Sequence, residues 1–422
     1  MKKIAVAVAA ALLAGSAAAA DVTLYGVIDT GFSYTNTRSK AEGSSSKLHP
    51  DKQKQAQSTK SFSMDSGNSA GSRWGLKGSE DLGNGLKVGF VLESGFKSDT
   101  GAQKDDDRLF NRQAFLSVSG DFGTVYAGRM YSLISDAGAS GWYGAMASPF
   151  GSGWGQIAGH EAVMHMQGGK DNTLIYMSPR FSGFQFSAQY SMGGEGKENK
   201  PSTDRYAAIG VDYQAGGLEI GFLVDWMNKD SSELNYGEDL AKVRSDATNI
   251  DKNAWTVNLA ANYDCGFAKS FIAAQYFKNV SLNQGFKNNE NQLNESNLMK
   301  KYLGSDFETD EALEDLGRLM SAKGYGINLG VDIPVFGGNA MLSVGYEDAD
   351  LRVAKRKIAS VDVYSVLAGY TYPISKRTSV YAGAGYTYNK LKGSANTPRI
   401  GSASGKIEGS IFQAMAGLKH TF

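Results

Sequence analysis

The chain has 422 residues, 43 basic against 43 acidic side chains, 52 glycines, only 7 prolines and 11% aromatic residues. Balanced charge gives no case for a nucleic-acid partner, and no stretch past the N-terminus approaches the ~18 continuous apolar residues of a helical membrane span. The single cysteine, Cys265, excludes an intrachain disulfide.

The first twenty residues read MKKIAVAVAAALLAGSAAAA. Lys2 and Lys3 precede an apolar run from Ile4 to about Leu13, and Ala18, Ala19 and Ala20 supply small residues at a cleavage site. This is the pattern of a Sec-type signal peptide removed after Ala20. Residues 21–422 are then expected as a single domain, with 41 basic and 43 acidic side chains once Lys2 and Lys3 are gone.

From there the chain alternates apolar and polar residues in sixteen runs. They are 22–34, 72–79, 86–96, 109–119, 124–131, 172–178, 184–192, 205–214, 218–228, 254–263, 268–278, 324–333, 339–347, 361–371, 378–389 and 407–422. Seven connections are short and carry Gly or Pro turn chemistry, such as Leu82-Gly83-Asn84-Gly85. Eight are longer and polar, at about 35–71, 97–108, 132–171, 193–204, 229–253, 279–323, 348–360 and 390–406. Short turns on one side and long loops on the other predict an all-β, transmembrane antiparallel barrel of 16 strands. An even strand count puts both termini on the short-turn, periplasmic side.

The faces agree with that reading. In 86–96, Leu86, Val88, Phe90 and Leu92 share one face, while Lys87 and Glu93 share the other. Lys77, Lys87 and Glu93 are therefore expected to face the lumen. A one-residue slip would place lysines in lipid, at roughly 2–4 kcal/mol each near the bilayer midplane. Aromatics collect near run ends, as at Phe32 and Tyr34, Phe96, Tyr370 and Tyr372, and Tyr386 and Tyr388. That is where interfacial girdles sit.

Several stretches resemble a known family. DVTLYGVIDTGFSY at 21–34, SRWGLKGSEDLGNGLKVGFVLESGF at 72–96, NRQAFLSVSGDFGTVYAGR at 111–129 and DNTLIYMSPRFSGF at 171–184 are similar to Gram-negative trimeric porins of the neisserial and burkholderial type. The terminal Phe422 resembles the barrel-assembly signal of outer-membrane proteins. The resemblance implies a homotrimer in the outer membrane, in contact with lipid and lipopolysaccharide and delivered by the barrel-assembly machinery. It also implies that the third long loop, 132–171, folds into the lumen and sets acidic groups against basic ones on the wall. Carried over by residue, the wall groups are Arg73, Arg112 and Lys170, with Arg129 toward the mouth, and the loop acids are Asp136 and Glu161. Periodicity supports Arg73, which shares a face with Lys77. It places Arg112 in register with Ala114, Leu116 and Val118, so that assignment rests on the resemblance.

Other signals are weaker. His160 and His165 are five apart, not the four that two helical zinc ligands need, and neither a metal nor another cofactor is expected. The few histidines and the lack of a nucleophile motif argue against an enzyme. Residues 309–323 carry a helical pattern, and the Ser/Lys/Gln-rich stretch 38–61 reads as an exposed, mobile loop. The function expected is passive diffusion of small hydrophilic solutes and ions, with a lean toward anions. The alternatives are a substrate-specific channel whose long loops bind one nutrient class, and a non-transport structural or adhesin barrel.

Overall fold

Alternation at period two gives each run one apolar and one polar face, and a sheet of such runs satisfies its edges only by closing on itself. The computed structural model describes residues 22–45, 49–151, 153–154, 160–194, 205–228, 253–280, 320–353, 356–397 and 401–422. Its strands are β1 (Thr23–Ser45), β2 (His49–Ser66), β3 (Arg73–Gly83), β4 (Leu86–Gly95), β5 (Gln113–Gly120), β6 (Gly123–Tyr131), β7 (Gly169–Met177), β8 (Phe184–Ser191) and β9 (Arg205–Ala215). They continue as β10 (Leu218–Asn228), β11 (Asn253–Asp264), β12 (Lys269–Val280), β13 (Met320–Val335), β14 (Gly338–Val353), β15 (Arg356–Pro373), β16 (Thr378–Thr397) and β17 (Gly401–Thr421).

Sequential neighbours pair antiparallel, and β1 closes the barrel on β17 from Val27↔Thr421 to Ser45↔Ala403. The upper part of β1 pairs with β2, from Thr30↔Ser66 to Ser45↔His49, while its first residues pair with β3, from Thr23↔Lys77 to Val27↔Arg73. Segments β2 and β3 thus share one wall position, interrupted at 67–72, and the closed barrel has sixteen positions. The β3–β4 turn has positive φ at both Asn84 (51°) and Gly85 (79°), as a twist-matched two-residue hairpin requires.

Leu24, Ile28 and Phe32 of β1 point outward and are exposed, while Val27, Asp29 and Ser33 point inward and are buried. The same alternation puts Leu116 outside and Phe115 inside on β5. Toward the long-loop end, Tyr325, Tyr346, Tyr364 and Tyr388 form an outward row with successive ring centroids 6.3, 5.0 and 6.3 Å apart. This is the girdle position for amphipathic rings.

Three segments expected as loops are extended strands. Residues 35–45 and 49–66 lie in the paired strands β1 and β2, not in a loop, and β14–β15 and β16–β17 extend as far as 353, 356, 397 and 401. Above the bilayer both faces of a hairpin are wet, so nothing forces hydrophobic alternation, and backbone pairing carries the structure. Of the segment with a helical pattern, Met320–Lys323 begin β13, whereas 309–319 lie outside the described residues. So do the leader at 1–20 and nearly all of the loops 229–253 and 279–323.

Candidate pore site

Segment 132–168 joins β6 to β7, and its described residues include a short helix, α1 (Tyr143–Ala147), and a three-residue 3-10 turn (His160–Ala162). It lies against inward positions of the wall. Leu133 N donates to Gln189 Oε1 (3.0 Å), and the Tyr143 hydroxyl reaches the carbonyls of Leu259 (3.2 Å) and Ala274 (3.4 Å). Asn328 Nδ2 donates to the Ala147 carbonyl (3.1 Å), and Gln275 exchanges hydrogen bonds with the backbone of His165 (2.6 and 3.2 Å).

Glycines on inward positions make room for this segment. A Cβ on Gly210 or Gly221 would lie 2.7 or 2.5 Å from the Trp142 ring, and one on Gly369 or Gly383 would lie 2.9 Å from that of Trp154. The wall from β9 to β16 is thereby paved by loop side chains.

A second inward element meets this loop near Trp154. The break at 67–72 folds over Asp29, whose Oδ2 accepts from Ser69 N (2.8 Å) and Ala70 N (2.7 Å). The Tyr381 hydroxyl donates to the other carboxylate oxygen of Asp29. Trp154 packs edge-on against Tyr381 (5.3 Å), and its backbone N–H donates to the Asn68 carbonyl (2.6 Å). One buried carboxylate therefore ties together β1, β16, the strand break and the loop.

The wall of β3–β7 is different in kind. Arg73 Nε lies 3.5 Å from Glu93 Oε2, and Arg112 Nε donates to Glu93 Oε1 at 2.7 Å. The Tyr25 hydroxyl and Gln113 Nε2 also donate to Glu93 (3.0 and 3.3 Å). Arg112 stacks over the Tyr131 ring at 5.3 Å. Nearby in the loop after β4, burial first and then Arg112 and Lys97 push the Lys104 ammonium down.

The structure brings together some of the expected residues and separates others. Arg112 points inward although simple alternation puts it outward, because it sits in a bend just before β5 begins at Gln113. Glu93, expected only as a lumen-facing residue, is the acid that joins Arg73 to Arg112. Lys77 lies over the Tyr25 ring (5.3 Å), and Lys87 is exposed beside the short turn. Lys170 is inward but a few strands away, on Gln167 Oε1 (2.9 Å) and over the Tyr206 ring (4.7 Å).

Arg129, expected toward the mouth, lies near the end of β6. It pairs with outward Ala114 at the rim, and its guanidinium engages Asp171, the Asn111 carbonyl (2.8 Å) and, through Asp171, Arg108. The irregular register between Gly128 and Met130 decides which neighbours it meets. Glu161 is pushed up to about 7 by burial and then by the charge of Asp136, so the two loop acids feel each other. Beside it burial pushes His160 down to about 4, which keeps its imidazole neutral.

Phe422 pairs with Gly26 through both backbone bonds (3.0 and 3.1 Å), and its ring covers the space a Cβ there would fill. Asp29 and Asp225 were not singled out in the sequence. Each is an acid at an inward position inside an otherwise apolar run, VIDTG and FLVDWM, and that was the available signal.

The family described as Gram-negative porin matches residues 5–392. An outer membrane porin protein of Bordetella pertussis is 33% identical over 403 residues, spanning 90% of this chain and 93% of that protein. Major outer membrane protein P.IA of Neisseria meningitidis serogroup C is 27% identical over 436 residues, 96% of each chain. Among solved structures, the anion-selective porin from Comamonas acidovorans superposes with a TM-score of 0.58 at 21% identity, covering 96% of this chain and 100% of that one.

Proposed function

This chain belongs to the Gram-negative porin family and is a passive channel of the outer membrane, and we propose that solutes are selected where segment 132–168 faces the charged wall of β3–β7. The observation that carries this is the group Arg73, Glu93 and Arg112. Two guanidinium groups share one carboxylate on the inward face, with Lys104 close by. The excess is positive, and a local surplus of one sign in a narrow pore biases ion passage.

The channel prefers small anions and neutral hydrophilic solutes. Lys170 extends the basic wall, Arg129 with Asp171 shapes the rim, and Asp136 and Glu161 are the counter-charge on the loop. Lys77, Lys87 and Glu93 keep the lumen wet. The relatives are channels rather than enzymes, and no reaction is assigned.

Three such barrels assemble as a homotrimer among lipid and lipopolysaccharide. Residues 1–20 are an export leader cleaved after Ala20, and Phe422 is read by the barrel-assembly machinery. The test is the reversal potential of the reconstituted channel across a salt gradient in a planar bilayer. An anion-selective sign is expected, and a cation-selective sign refutes the assignment of Arg73 and Arg112.

A further inference from the structure

The residues between β2 and β3, GNSAGS at 67–72, lie outside the strand ladder, and their backbone groups need partners elsewhere. They find them on one residue of β1. Gly67 N donates to the Asp29 carbonyl (2.9 Å), and Ser69 N and Ala70 N donate to Asp29 Oδ2 (2.8 and 2.7 Å). The Ser72 hydroxyl bonds to both the N–H and the carbonyl of Asp29 (3.0 Å each). Two successive N–H groups on one carboxylate oxygen are the stronger, charge-assisted kind of hydrogen bond. They hold the middle of the break, which strand pairing leaves unfixed. Asp29 itself is fully buried, so no solute touches it.

The next residue reaches the pore. The Gly71 carbonyl accepts from Arg73 Nη1 (2.9 Å), while Glu93 engages Arg73 Nε (3.5 Å). A Cβ on Gly71 would lie 3.3 Å from Arg112 Nη1, so that guanidinium packs against bare backbone. The base of the loop that carries Lys104 hangs on the same knot. Ser98 Oγ donates to the Asp29 carbonyl (2.7 Å), Ser98 N to Ser66 Oγ (2.8 Å) and Phe96 N to the Ser72 carbonyl (3.1 Å).

We propose that Asp29 is a positioning residue for the selectivity of the channel: by pinning Ser69 and Ala70 it fixes the Gly71 carbonyl, and through it the place of Arg73 and Arg112. This rests on the selectivity assigned to those two arginines and adds what aims them. A guanidinium on a long side chain has many rotamers, and holding one of them takes directional partners. The cross-strand partners of Arg73 are Val27 and Gly95, which offer no hydrogen-bonding side chain. Glu93 and the Gly71 carbonyl therefore do the orienting. Asp29 also bonds to Tyr381, and the break to Trp154, so the loop is a second route by which loss of Asp29 reaches the pore. An effect carried by positioning disappears once the arginines are gone, whereas an effect carried by the loop persists.

Reversal potentials across a KCl gradient are measured for the full mature porin and for Asp29→Ala, Asp29→Asn and Gly71→Ala. Each variant is also made in a background carrying Arg73→Gln and Arg112→Gln. Asp29→Ala is expected to lower the anion-to-cation permeability ratio by about twofold or more. Asp29→Asn keeps an acceptor for Ser69 and Ala70 and loses less. Gly71→Ala displaces Arg112 directly and shifts the ratio without touching Asp29, so it carries the test should Asp29→Ala fail to fold by gel mobility. In the background lacking both guanidinium groups, the three variants are expected to leave the ratio unchanged, as a double-mutant cycle requires of groups that act through one another. A shift of equal size in that background overturns the proposal and assigns Asp29 to the loop. So does an unchanged ratio in both Asp29→Ala and Gly71→Ala while the arginine pair still shifts it. If the arginine pair shifts nothing, the selectivity assignment falls first and this proposal with it, so the two failures are told apart.

Discussion

The two halves of the inner wall solve opposite problems. From β9 to β16 the inward positions hold glycines and hydrogen-bonding amides beside buried aromatics such as Tyr206 and Phe277 and the acids Asp212, Asp225 and Glu347, and the loop packs against this face. From β3 to β7 the inward positions hold Arg73, Glu93, Gln113 and Lys170, which bond to one another and to their neighbours. Close packing seats the loop mainly against β9–β16, because an interior this dense does not slide, while Ala139 N also donates to Gln113 Oε1 (2.8 Å) on the other side. The other side is lined by charged and amide groups. On the proposed function, selectivity falls to one sector of the barrel and the seating of the loop to the other.

The most direct way to break this division is to fill a glycine seat. A Cβ at Gly326 overlaps the backbone carbonyl of Val163, so Gly326→Val requires the loop itself to move. Overpacking of this kind costs roughly 1–3 kcal/mol. The barrel is expected to remain folded by gel mobility, while single-channel conductance changes by about half or more. Unchanged conductance would show that the loop does not set the passage.

Next in size is reversal of the charged sector. Arg73→Glu with Arg112→Glu is expected to turn the reversal potential from anion- to cation-selective, with conductance less affected than by Gly326→Val. Glu93→Gln shifts it the other way, toward stronger anion preference. It also leaves two guanidinium groups without their shared carboxylate, so a lower unfolding temperature accompanies it. If both variants keep the parental reversal potential, the selectivity lies elsewhere.

These expectations also mark what the sequence made legible. The sixteen runs, the parity of Lys77 and Glu93 and the sidedness of the loops follow from period-two alternation, which lipid and water enforce. Arg112 was placed by resemblance and against its periodicity, since a bend at the start of a strand breaks the alternation that periodicity assumes. The β1–β2 hairpin leaves no mark in the sequence, because a doubly wet strand has no amphipathic signature. Glu93 as the arginine partner, and Arg129 at Asp171, depend on cross-strand register, which no single run encodes.

A smaller effect is expected at the seam between the two sectors. Asp29 accepts two backbone N–H groups on one oxygen and the Tyr381 hydroxyl on the other. In Asp29→Asn the amide must turn its own N–H toward one of those donors. Loss of a satisfied buried acceptor costs on the order of 1–3 kcal/mol, which the closed sheet tolerates. The expected signature is noisier open-channel current with the mean conductance retained. Quiet traces identical to the parent would mean that the break at 67–72 does not hold the loop.

The smallest predicted change concerns protons. Burial and the charge of Asp136 raise Glu161 to about 7, so it is neutral at pH 5.5 and ionised at pH 8.5. Raising the pH therefore adds negative charge to the loop facing a basic wall, and anion preference declines through neutrality, by roughly twofold or less in permeability ratio. Stability follows the same sign. A carboxyl that binds its proton more tightly when folded loses stability as pH rises from about 4.5, and the loss levels off above about 7. Glu161→Gln removes both trends and leaves the low-pH selectivity in place. A decline that survives unchanged in Glu161→Gln would show that Glu161 is not its source.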